Sequence, residues 1–189
     1  MKKTCAALLC LALPGLAFAS EPRYSYVEGG YQYVDLDDLN VDGDGWFVGG
    51  SLGVTERVHL LAAYSDVGLD FGIDVSTLTL GVGGNLPIER SVHLVGEVGY
   101  VRTDIDTRFT SFDDDGLFVS GGIRWMTTDQ VELAASVNYV NLDDAGSDTS
   151  FSAGIRFHVT PDLALTANVN LGDDATGYAF GIRYYFPGL

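Results

Sequence analysis

The side chains able to carry chemistry are few, and their spacing limits what they can do. Histidine is the usual proton carrier near neutral pH, and the chain has three: His59, His93 and His158. Each sits on a different run of apolar residues, close to a short polar connection, with no ligand-spaced partner for a metal. No Ser or Asp of the distant connections has a base beside it to activate it. Neither catalysis nor a cofactor is therefore expected. The stretch Asp38-x-Asn40-x-Asp42-Gly43 matches the opening of a calcium-binding EF-hand loop. Gly49 then stands where the bidentate Glu should be, and a strand pattern follows instead of a helix. The reading is a solvated turn, with Asp38, Asn40 and Asp42 as at most a weak Ca2+ or Mg2+ site. The remaining chemistry is charge pairing. Glu28, Glu97, Glu132, Arg124, Arg156 and Arg183, with the three histidines, all fall on the minor face of alternating runs.

Those runs number ten, each about ten residues long. Leu117, Val119, Ile123 and Trp125 alternate with Phe118, Ser120, Gly122 and Arg124; Tyr178, Phe180, Ile182 and Tyr184 alternate with Ala179, Gly181 and Arg183. A period of two gives a strand with two unlike faces. The runs are placed near Tyr24–Asp35, Gly45–Thr55, Val58–Ser65, Val75–Leu86, Ser91–Arg102, Gly116–Met126, Val131–Asn141, Ser150–Val159, Leu163–Leu171 and Gly177–Phe186. Short connections alternate strictly with longer, Asp-rich ones at 36–44, 66–74, 103–115, 142–149 and 172–176. An even number of such strands, with short turns at one end and long loops at the other, predicts an all-β fold: a closed antiparallel transmembrane β-barrel with meander topology.

A soluble β-sandwich would show the same period with its apolar face inward. The minor face here is too rich in Gly, Ser and Ala for a solvated surface. Aromatic residues also gather at the strand ends as girdles: Tyr24, Trp46, Tyr64, Tyr100, Trp125, Tyr139, Phe157 and Phe186. In the barrel reading the charged face lines the lumen. Buried charges must be paired, and the planar guanidinium of Arg suits a carboxylate. The six charges are read as a salt-bridge network that plugs the lumen, or alternatively as a gate on a narrow pore.

Residues 1–19 read as a secretory signal peptide, with Lys2 and Lys3 before an apolar centre and Ala17-Phe18-Ala19 at the cleavage site; residues 20–189 are the barrel. Both cysteines, Cys5 and Cys10, lie in that leader, so the mature chain has no thiol. Eight arginines then face 26 acids, a net charge of −18. Such acidity excludes nucleic acid as a partner. Eighteen of the acids lie in or beside the long connections, opposed there by Arg102 and Arg108. The acidic loops could share the divalent ions that bridge lipopolysaccharide phosphates.

The segments Tyr24-Ser25-Tyr26-Val27-Glu28-Gly29-Gly30-Tyr31, Val41-Asp42-Gly43-Asp44-Gly45-Trp46 and Gly181-Ile182-Arg183-Tyr184-Tyr185-Phe186 resemble the small outer-membrane barrel family called activator of rice immunity-like. The resemblance implies a location in the outer membrane and its vesicles and links to biofilm, motility and virulence. It carries over no catalytic residue. Barrels usually end on an aromatic residue that the barrel assembly machinery reads, whereas Pro187-Gly188-Leu189 follow Phe186 here. The expected partners are outer-membrane lipids, lipopolysaccharide and that machinery, and the barrel is expected to be a monomer. Its role reads as structural or as surface interaction, with a narrow diffusion pore and a processed secreted signal as alternatives.

Overall fold

A computed structural model describes residues 20–36, 41–173 and 175–189; the leader and residues Asp38 and Asn40 lie outside them. Among the described residues there are ten strands: β1 (Tyr26–Leu36), β2 (Val41–Gly53), β3 (Val58–Leu69), β4 (Ile73–Glu89), β5 (Val92–Thr107), β6 (Ser111–Met126), β7 (Val131–Leu142), β8 (Gly146–Thr160), β9 (Leu163–Leu171) and β10 (Thr176–Tyr185). Each pairs antiparallel with its neighbours in sequence, and β1 pairs with β10 to close the barrel. The closing register sets Glu28 directly opposite Arg183.

The burial pattern is inverted relative to a soluble protein. Val48, Leu80, Val98, Leu117, Ile155 and Phe180 are exposed on the outside, while His59, His93, Glu132 and Arg183 are buried inside. A continuous apolar exterior is stable only against hydrocarbon. Trp46, Trp125, Tyr139 and Phe157 face outward near the ends of this band.

Three expectations are corrected. Tyr24 is neither in the first strand nor in a girdle: β1 begins at Tyr26, and Tyr24 turns into the lumen. Phe186 follows the end of β10 rather than closing it. The Asp-rich segments at 66–74, 103–115 and 142–149 are mostly strand, turning only at 70–72, 108–110 and 143–145. Antiparallel pairing of Asp66 with Ser76, Asp104 with Asp113 and Asp106 with Ser111 outweighs their turn-like composition. Crossing the hydrocarbon takes about 9–11 tilted residues. Strands β5 and β6 have 16 each, so they stand several residues proud of the membrane.

Candidate functional site

The short-turn half of the lumen is filled by ion pairs held on neighbouring strands. Glu132 on β7 is completely buried. Arg124 on β6 grips it with two hydrogen bonds, Nε to Oε1 at 2.6 Å and Nη2 to Oε2 at 3.0 Å. Arg156, directly opposite on β8, donates Nη1 to Oε1 at 2.7 Å. One carboxylate thus neutralises two guanidiniums in part, an arrangement that needs the planar fork of Arg. Across the closing seam Arg183 donates Nε and Nη2 to Glu28 Oε2 at 2.9 and 2.8 Å, and its guanidinium lies 3.6 Å over the Tyr26 ring. Glu97 pairs with no arginine. Its Oε1 is 3.1 Å from His59 Nε2, with Gly83 of β4 between them in register. A Cβ at Gly83 would collide with the His59 ring, so the glycine is what lets the two side chains meet.

The segment before β1 closes what the ion pairs leave. Tyr24 stacks on His59 and His93 at ring separations of 5.0 and 5.8 Å, and its hydroxyl is hydrogen-bonded to His93 Nδ1 at 3.1 Å. The Arg124 guanidinium lies 4.6 Å from the Tyr24 ring centre. The segment is tied to the barrel wall on several sides. Arg23 Nη1 donates to Pro161 O and Asp162 Oδ1, both at 2.8 Å, and the Gly53 amide donates to Ser25 Oγ at 3.0 Å. His59 and His93 therefore serve as a seat for this plug, whereas His158 stacks on Tyr185 instead.

Farther up, glycine does not mean empty space. Gly81, Gly99 and Phe118 lie in one row across β4, β5 and β6, and the Phe118 ring occupies the place where side chains on both glycines would be. The β4–β6 side of the lumen is thus packed. On the opposite side, β1, β8, β9 and β10 leave a cavity of about 440 Å³ in the outer half. A second cavity of about 240 Å³ lies against the ion pairs, and Ser152 and Asn168 border both.

At the outer end, Arg102 sits between the opposed Asp104 and Asp113, 2.9 and 3.1 Å away, and relieves their repulsion. Its hydrogen bond holds the Asp104 carboxyl below the usual carboxylate range, against a smaller opposing effect of desolvation. Asp114 points into the mouth and accepts the amides of Asp144 and Ala145, the latter at 2.7 Å. Burial would push its carboxyl up; these amides outweigh burial and hold it low. The hairpin tips carry Phe71 and Phe109, which are 86 % and 92 % exposed. Phe71 has φ +67° ahead of Gly72 at +74°, the left-handed pair of a tight hairpin turn, where a bulky residue is unfavourable.

The six charged candidates thus fall into three separate groups: Arg124–Glu132–Arg156, Glu28–Arg183 and His59–Glu97. Tyr24 and Tyr26 are partners that strand alternation alone did not assign. Of the calcium candidates only Asp42 is described, and its Oδ2 accepts the Tyr33 hydroxyl at 2.7 Å. Among the described residues no group of three or more His, Cys, Asp or Glu side chains is placed to hold a metal ion.

A closed ten-stranded meander with an apolar exterior, charged interior and acidic extensions at one end defines a small transmembrane barrel of the bacterial outer membrane. The chain belongs to the outer membrane protein beta-barrel domain family, whose model matches residues 4–158. No curated protein matches it. Similar solved structures include OprG of Pseudomonas aeruginosa, at 17% identity over 89% of this chain and 98% of that one, with a TM-score of 0.46. The N-terminal β-barrel domain of Pseudomonas aeruginosa OprF is similar at 11% identity over 87% and 98%, TM-score 0.46. Ail, the attachment invasion locus protein of Yersinia pestis, in complex with the heparin analogue sucrose octasulfate, is similar at 14% over 86% and 97%, TM-score 0.43.

Proposed function

We propose that the protein is a sealed outer-membrane barrel that works through its outer face and does not conduct. The observation that carries this reading is the Tyr24 seat. An aromatic ring held by two histidines and an arginine, beside the Glu132 ion pairs, fills the short-turn end, where a pore would have to pass. The outer end supplies the working surface. Phe71 and Phe109 stand in water on hairpins that rise above the membrane, amid acidic side chains. Exposed aromatics on protruding tips are typical contact anchors. Around the apolar band this reading places outer-membrane lipids and lipopolysaccharide.

The links to biofilm, motility and virulence implied by the family resemblance are read as consequences of contact at those tips. A strain lacking the protein should attach less well to surfaces. A strain carrying Phe71→Ser with Phe109→Ser should match the deletion strain while still inserting a folded barrel. Attachment at the wild-type level in that double variant would remove the tips as the contact surface.

A further inference from the structure

We propose that the outer half of the lumen is a blind well that binds a neutral saccharide unit. This rests on the sealed-barrel reading, because a well differs from a channel only in having a floor.

The walls are made of hydroxyl and amide groups. Gln32 of β1, Ser150 and Ser152 of β8, and Asn168 and Asn170 of β9 all face the cavity of about 440 Å³. Ser152 accepts a hydrogen bond from Asn138 Nδ2 at 2.8 Å. The side chains of Gln32, Ser150, Asn168 and Asn170 have no hydrogen-bond partner among the described residues. Four adjacent polar side chains, three half-buried and Asn170 exposed, turn donors and acceptors into one concavity and suit a ligand that offers both at every position, which is the chemistry of a sugar hydroxyl. The volume falls in the range of about 300–1,000 Å³ typical of small-ligand sites.

Charge selects the class further. The acidic outer end repels anions before they reach the mouth. At the floor, Arg156 and Arg183 border the inner cavity together with Glu28 and Glu97 and are already paired with Glu132 and Glu28, so an ion of either sign would lose its hydration there without gaining a free counter-charge. Between them the wall residues are neutral, apart from Asp148 at the rim. An apolar solute would leave the amides desolvated and unpaired. A neutral polyhydroxylated molecule meets none of these penalties. Small residues on β10, Gly177 and Ala179, provide the width.

The test is calorimetric titration of the folded full-length mature barrel in detergent with maltose, glucuronate and glucosamine. Maltose should bind saturably and the two charged sugars at least about tenfold more weakly. Asn168→Ala and Asn170→Ala should each weaken maltose binding about tenfold while leaving heat-modifiable migration intact, since a satisfied hydroxyl loses its partner. Maltose linked to beads distinguishes the source: retention of the barrel indicates the end of a glycan, and binding of free maltose alone indicates a diffusible sugar. Absence of saturable maltose binding, equal affinity for the charged sugars, or unchanged affinity in both variants would overturn the proposal. Conductance is read separately. Binding with an open wild-type channel would contradict the sealed barrel and leave the saccharide site standing. No binding in a non-conducting barrel would do the reverse.

Discussion

Glu132 holds two buried guanidiniums, and its loss is the most damaging single change the lumen offers. Glu132→Gln keeps the shape but leaves Arg124 and Arg156 as uncompensated buried charges. Breaking a buried pair from one side typically costs about 3–5 kcal/mol. The variant should therefore melt well below wild type by circular dichroism in detergent, whereas Arg102→Gln, at a half-buried site on the outer rim, should melt close to it. Asp114 gives a pH signature at the opposite end. Its folded carboxyl is held below the ordinary value of about 3.9. The stability it contributes is thus fully present above that value and is lost as pH falls through the folded value. Hydrogen-exchange protection of the Asp144 and Ala145 amides should hold at neutral pH and fade below about pH 4. Asp114→Asn should lack this pH dependence.

At the scale of elements, rows across the sheet matter more than positions along a strand. In the row His59–Gly83–Glu97 the middle strand must be glycine for the outer two side chains to touch. Gly83→Val should separate them and unseat Tyr24 from His59, costing about 1–3 kcal/mol of stability as at other overpacked sites and so lowering the melting temperature. The period-two pattern made the strands and their inward charges legible, because alternation depends on nothing beyond the local sequence. Pairing partners were less legible. Glu97 has Gly83 and Ser120 beside it in register, so it reaches past β4 to His59, and such two-strand spacing appears only once the register is known. Tyr24 read as an aromatic at a strand end, since nothing local distinguishes a girdle residue from one that folds inward. The Asp-rich runs read as loops because composition favours turns; Arg102 between Asp104 and Asp113 shows what makes them tolerable as strands. Phe118 lies above Gly81 and Gly99, so the space beside these glycines is filled from the next strand.

For the whole molecule, the two ends have different work. The short-turn end is dense, charged and tied down by the segment around Tyr24. The outer end is longer, acidic and tipped with exposed phenylalanines. Sealing and display are compatible, since a rigid closed barrel holds its hairpins in fixed relation. The plug should be separable from the barrel. Tyr24→Ala removes the ring between His59, His93 and Arg124 and extends the inner cavity toward the short-turn opening. It should admit small ions while leaving the β-sheet signal of the barrel unchanged.

The most direct measurement is single-channel recording in planar bilayers, with wild type and Tyr24→Ala inserted under the same conditions. A sealed lumen predicts a silent wild type and small, stable conductance steps in the variant, whose activity also shows that insertion succeeded. Stable steps of equal size in both would contradict it: the lumen would then be an open pore, and the Tyr24 seat would close nothing.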